Sequence, residues 1–212
     1  DVGCGTGANI AALSRHHTCF GFDTSEDPIR LASSKYPQVK FICSPYPSTS
    51  SFDQNNVGLI LLMDVLEHVE DDSAFLSNLV TSQREGTYLL IMVPADMKLW
   101  SHQDINHGHY HRYHLRELRD LFEGLPVRVH LLSYFNFYLY PIVRILRSFN
   151  RLFNRTWGEA GTDLQTPSPL INRILEGIFF HESRFLLKAL QKKRRSGLPF
   201  GVSLVSILQK EA

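Results

Sequence analysis

The stretch Asp1-Val2-Gly3-Cys4-Gly5-Thr6-Gly7-Ala8-Asn9-Ile10 constrains this chain of 212 residues more than any other. Three glycines alternate with small side chains, directly ahead of a run from Ile10 to Arg15 that starts a helix. Glycine lets the backbone take φ > 0 and lets a ligand approach bare main chain. The N–H groups that open the following helix face the same space. A strand–loop–helix corner holding a nucleotide-like cofactor is expected here. The chain opens inside this motif and without a methionine, so it reads as a fragment whose first strand starts before Asp1.

Two cofactors fit the loop. Gly3-x-Gly5-x-x-Ala8 satisfies the dinucleotide fingerprint. Gly3-x-Gly5-x-Gly7 behind Asp1 resembles motif I of the class I S-adenosylmethionine-dependent methyltransferases. The choice between them has to come from further along the chain.

Helix and strand signals alternate up to residue 94. Ile10–His16 reads as helix and Thr18–Phe22 as a short buried strand that ends at Asp23, where a carboxylate can accept from both ribose hydroxyls. Glu26 and Asp27 ahead of Pro28 mark a helix start, with the helix running Pro28–Lys35. Val39–Cys43 is a strand closed by a Ser- and Pro-rich loop from Ser44 to Ser51. Val57–Met63 is an uninterrupted apolar run, as a parallel strand covered on both faces requires. A helix over Ser73–Thr81 and a strand over Tyr88–Val93, stopped by Pro94, follow. This alternation argues a doubly wound α/β sheet. Beyond it the chain reads as a histidine-rich loop (Trp100 to Tyr113), helix Leu115–Phe122, strand Val127–Leu132, an aromatic segment Tyr134–Phe149, a long helix Leu170–Leu190 and a last strand Val202–Leu208.

The tie is broken at Asp64-Val65-Leu66-Glu67-His68-Val69, after the fourth expected strand. This segment looks like the post-strand-four motif of small-molecule methyltransferases, including the quinone-biosynthesis type. Together with the glycine loop and Asp23 it makes three matches in order, and Phe200-Gly-Val-Ser-Leu-Val-Ser-Ile resembles that family's final strand. The resemblance covers residues 1–122 well and the rest more loosely. It implies a mostly parallel, seven-stranded sheet with a helical insertion before the last strand: a cofactor core over 1–133, a basic lid over 134–198 and the final strand over 199–212. It implies S-adenosyl-L-methionine as cofactor and methyl transfer to a small-molecule or lipid-like acceptor. A catalytically silent protein of the same fold and an NAD(P)-binding oxidoreductase are the alternatives.

Position by position, the resemblance places Asp1, Gly3, Cys4, Gly5 and Gly7 around the methionine part and ribose, Asp23 and Thr24 at the ribose, and Ser44 toward the adenine edge. Asp64 and Val65 line the sulfonium end, while Glu67 and His68 cap the next helix and pack, with direct ligand contact as the alternative. A sulfonium already carries an activated methyl, so the protein mainly aligns the acceptor. A base is needed only where the acceptor must lose a proton. His107 and His111 are the candidates, since His111-Arg112-Tyr113 looks like a His-x-Arg-Tyr-like segment of related proteins. Histidines that hydrogen-bond locally are the alternative. The alternating His107, His109 and His111 also suit a metal. However, the only acid in that loop is Asp104 and no cysteine joins, so no metal is expected.

Net charge is +1, but residues 1–140 carry ten basic against sixteen acidic side chains, and residues 141–195 carry eleven against four. Arg144, Arg147, Arg151 and Arg155 recur at helical spacing and flank apolar residues. They face an anionic membrane, cover the substrate, or are simply solvated. The acidic front and the lack of an aromatic-basic RNA motif argue against nucleic acid. Three scattered cysteines argue for a reducing, cytoplasmic setting, with peripheral membrane contact through the arginines.

Overall fold

The computed structural model describes residues 1–46, 57–153, 168–191 and 197–212. Six strands occur among them: β1 (Phe20–Asp23), β2 (Lys40–Cys43), β3 (Leu59–Met63), β4 (Tyr88–Pro94), β5 (Val127–Phe135) and β6 (Ser203–Lys210). The helices are α1 (Ala8–Leu13), α2 (Glu26–Lys35), α3 (Asp72–Thr81), α4 (His102–Asn106), α5 (Leu115–Asp120), α6 (Tyr140–Phe153) and α7 (Pro169–Gln191).

β1 pairs parallel with β2, and a second ladder runs β3-β4-β6-β5. β3 and β4 are parallel, while β6 is antiparallel to both its neighbours. Val2 makes single parallel bridges to Phe22 and to Leu62, which joins the two ladders. Where seven strands are expected, the described residues form six plus this one bridging residue.

β3 shows why its sequence is apolar without alternation. Ile60 and Leu62 enter one core with Leu76 and Leu79 of α3, whereas Leu61 enters a second core with Ile10 and Ala11 of α1. Both faces of the sheet are therefore covered, by α3 and α5 on one side and by α1 and α7 on the other. Because β1, β3, β4 and β5 run in one direction, Asp23, Asp64, Asp96 and Asn136 stand at or just past the carboxyl edge of the sheet.

Several local expectations shift. The histidine-rich loop contains α4, opened by a capping box between Ser101 and Asp104. The Tyr134–Phe149 segment divides: β5 continues to Phe135 and the helix starts at Tyr140. Glu67 and His68 do not cap α3, since Asp71 does so by accepting from Ala74 N at 2.9 Å. Leu66–His68 form a separate 3-10 turn. Arg155 and residues 192–195 lie outside the described residues.

Candidate functional site

The glycine loop is built from close approach and open space in alternation. Gly3, Gly5 and Gly7 all have positive φ. A Cβ on Gly3 would stand 2.6 Å from Val65 Cγ2, and one on Gly7 would stand 2.5 Å from the Phe41 ring. Nothing lies within 4 Å of the Cβ position of Gly5. Two glycines thus serve packing, and the middle one leaves bare backbone facing a gap. Gly5 N donates to Asp23 Oδ2 at 2.8 Å, and Ser25 N donates to Asp23 Oδ1 at 2.9 Å. Asp23 therefore pins the loop to the tip of β1 and keeps lone pairs to spare, since an ionised carboxylate accepts about four bonds.

Asp1 and Ser44 border this region, and each carries an orphaned polar atom. Asp1 Oδ2 and Ser44 Oγ are buried without a hydrogen-bond partner. Such atoms are costly unless a donor or acceptor reaches them. Cys4 lies buried, and burial together with the charge of Asp23 pushes its thiol up to about 11, which makes it inert. Thr24 is exposed, and its carbonyl accepts from Cys43 Sγ at 3.7 Å.

Asp64 takes φ 57°, an uncommon conformation for a residue with a side chain. Its N–H donates to Met92 O at 2.9 Å, which holds it just past the end of β3. Its outer face is open to solvent, yet the protein around it displaces water and raises its carboxyl, against the pull of His68 and Arg112. Asp96 takes φ 61° after β4, and Asn136 takes φ 60° after β5. Strained residues gathered on one sheet edge mark a site. Sequence reading missed Asp96 and Asn136, because no composition signal announces a left-handed Asp or Asn. Burial opposes the charge on Asp96, but the Tyr140 hydroxyl at 2.5 Å and the Lys98 N–H outweigh it and hold the carboxyl below its usual range.

The histidines separate by role. His107 is exposed at the end of α4, and His102 and His114 are exposed at helix starts. His111 packs over Tyr113, 4.2 Å between ring centroids, with its Nε2 3.7 Å from Asp72 Oδ2. Tyr113 is fully buried and donates to the same Asp72 oxygen at 2.6 Å. His109 instead meets Asp104 and His68.

The basic helix is tied inward. Arg147 donates to the Leu99 carbonyl and to Asp104 Oδ2 at 3.1 Å. It therefore does not share the solvent face expected for it, whereas Arg144 remains exposed and bonds Tyr140. A groove of about 590 Å³ runs along α6 between Tyr140, Arg144, Ile145, Phe149, Leu152 and Phe200. A larger cavity of about 740 Å³ lies between β1 and β3 toward their amino ends, where Phe20, Leu59 and Ile60 line it. Asp1 lines it too, but neither Asp23 nor Asp64 does, so it lies beside the glycine corner and away from the carboxyl edge of the sheet.

A profile of the methyltransferase domain family matches residues 1–126. The chain belongs to that family. S-adenosyl-L-methionine is the cofactor that goes with this class I methyltransferase domain. Trans-aconitate 2-methyltransferase of Rhodopseudomonas palustris is 28% identical over 138 residues, which are 59% of this chain and 51% of that protein. The chain thus spans about half the length of this curated relative. Among solved structures, the plantazolicin methyltransferase BpumL, in complex with a triazolic desmethylPZN analog and SAH, matches with TM-score 0.57 and 16% identity over 100% of this chain and 76% of that one. A SAM dependent methyltransferase from Archaeoglobus fulgidus matches with TM-score 0.55 and 18% identity over 99% and 84%. At those identities the structures speak for the fold, and the methyltransferase domain's loop geometry speaks for the cofactor. The bare face of Gly5, the spare lone pairs of Asp23 and the orphaned Asp1 and Ser44 oxygens fit a nucleoside bearing an amino acid.

Proposed function

We propose that this methyltransferase domain moves a methyl group from S-adenosyl-L-methionine to a small-molecule or lipid-like acceptor. The observation that carries this reading is the glycine loop pinned at Gly5 to Asp23, with nothing over the Gly5 backbone. When bound, S-adenosyl-L-methionine supplies a methyl on a sulfonium, already activated for in-line displacement. Asp23, with Thr24 beside it, binds the ribose hydroxyls, and Ser44 faces the adenine edge. Asp1 accepts from the amino group, while Gly3, Cys4, Gly5 and Gly7 shape the wall. Asp64 and Val65 line the reacting end. His111, paired with Asp72, is better placed than the exposed His107 to hold a proton from an acceptor hydroxyl. A seventh strand through Val2, between β1 and β3, completes the sheet in this reading.

Calorimetric titration with S-adenosylhomocysteine, beside NAD, tests the cofactor. Micromolar binding of the former alone supports the reading, and silence from a folded protein overturns it. Asp23→Ala is expected to weaken that binding by about 1–3 kcal/mol, roughly 5- to 150-fold, because it strands the ribose hydroxyls and frees the Gly5 N–H. Unchanged affinity would remove Asp23 from the site.

The exposed apolar side chains of α6, including Ile142, Ile145, Phe149 and Leu152, support a lipid-like acceptor or contact with an anionic membrane surface. No helix among the described residues is long and apolar enough to cross a membrane. Vesicles containing anionic lipid are expected to pellet the protein, and Ile145→Asp with Phe149→Asp to lower the bound fraction at least tenfold. An intact protein that never pellets leaves only a soluble acceptor.

A further inference from the structure

Glu67 is fully buried, and neither of its carboxylate oxygens has a hydrogen-bond partner. A carboxylate in that position is among the costliest groups a fold can hold. Its surroundings are specific. Glu67, His68 and His109 each offer a ligand atom, and these atoms all lie within 4.8 Å of one another. The two imidazoles meet edge to face, 4.6 Å between centroids. A main-chain bond joins the two segments across 43 residues, Tyr110 N donating to Glu67 O at 2.8 Å, while His109 N donates to Asp104 O at 2.9 Å within its own loop.

An independent feature prepares His109. Its Nδ1 lies 3.1 Å from Asp104 Oδ1. Asp104 also accepts from Arg112 Nε at 2.7 Å, from Ser101 N at 2.8 Å and from Arg147. An ionised carboxylate so placed makes Nδ1 the donor and leaves Nε2 with its lone pair. Carboxylate–histidine pairs of this kind orient the imidazoles of metal centres. His68 is exposed, so the cluster reaches solvent through that imidazole.

We propose that Glu67, His68 and His109 bind a divalent transition cation, zinc foremost, with one coordination position open to solvent. Two imidazoles and one carboxylate form the ligand set of open zinc sites. Ligands about 2.1 Å from a tetrahedral ion stand ~3.4 Å apart, and the exposed His68 has the freedom to close the remaining gap. A bound cation gives the buried Glu67 carboxylate a partner and more than offsets the one negative charge by which Asp64, Glu67 and Asp104 exceed Arg112 and Arg147. The sequence expectation of no metal rests on the histidine loop alone, in which Asp104 is the only acid. Glu67 comes from another segment, and Asp104 acts behind the ligand.

The test is titration of the tag-free, chelator-treated protein with Co²⁺, read by visible absorption, followed by displacement with Zn²⁺. One equivalent bound with ligand-field bands and displaced by Zn²⁺ is expected. Glu67→Gln and His109→Ala are each expected to weaken binding at least tenfold, and Asp104→Asn by 10- to 100-fold. His68→Gln, at an exposed position, serves as the variant that disturbs the core least, and it too should lose affinity. No saturable uptake overturns the proposal. So does uptake that Glu67→Gln and His68→Gln leave unchanged, which would place the ion on other histidines of the loop. None of these readouts depends on methyl transfer, so the site stands or falls apart from the function proposed above.

Discussion

In the presence of a chelator, the unfolding free energy is expected to fall by about 4 kcal/mol between pH 5 and pH 8 on account of Glu67. Burial pushes its carboxyl from 4.5 up to about 8, against the pull of its own backbone N–H and of Arg112, with Asp64 and Asp104 adding to the rise. The folded protein therefore keeps a proton that the unfolded chain releases above pH 4.5. This contribution to stability is fully present below pH 4.5 and is lost as pH rises through about 8. His109 acts in the opposite sense. Burial and the neighbouring His68 lower its pKa, so its neutral form favours folding above the ordinary histidine range. The comparison that isolates Glu67 is with Glu67→Gln, which keeps the shape without the charge. Chemical denaturation at pH 5, 6.5 and 8 should show the variant gaining on the parent protein as pH rises. Parallel curves would mean that Glu67 already has a partner. A cation bound at Glu67 should remove the difference by holding the carboxylate ionised.

Gly7→Ala is expected to cost about 3 kcal/mol. The alanine methyl would meet the Phe41 ring at 2.5 and 2.7 Å and Ala32 Cβ at 3.1 Å. Overpacking of this kind costs roughly 1–3 kcal/mol, and a side chain at φ 79° adds about 1–2 more. For a chain of this length a loss of that size lowers Tm by about 6–12 °C. Phe41 also fills the space over Gly21, where a methyl would stand 2.6 Å from the same ring. Phe41→Leu should therefore recover part of the loss in the double variant, while the backbone part remains. A single variant that melts with the parent protein would show that the loop relaxes away from β2. Gly5→Ala faces open space and carries the backbone cost alone, so it separates the two effects.

Much of the architecture was open to reading because it is encoded over short distances. The run Leu59–Met63 has no polar position, which already requires two covered faces. The glycine spacing prescribes a turn that only small residues make, and Asp23 follows it at the end of the next strand. The site was harder. Asp64 stood out through its motif, but Asp96 and Asn136 are ordinary residues until their φ angles are known. Arg147 has helical spacing with Arg144 and Arg151, yet it turns toward Asp104, 43 positions away. Periodicity gives the face of a helix and not what lies beneath it.

By itself the sequence determined the alternation of strands and helices, the strained glycine corner and the family. Each is written in short segments, where backbone sterics and hydrophobic period leave little choice, although the neighbours that require Gly3 and Gly7, Val65 and Phe41, appear only in the fold. Only the tertiary structure decided that Glu67 and His68 meet His109, that Asp104 stands behind that histidine, and that α6 is tied to the sheet edge through Tyr140 and Asp96. Those contacts depend on strand order and on how α4 packs past the end of β4, and no local pattern carries that information.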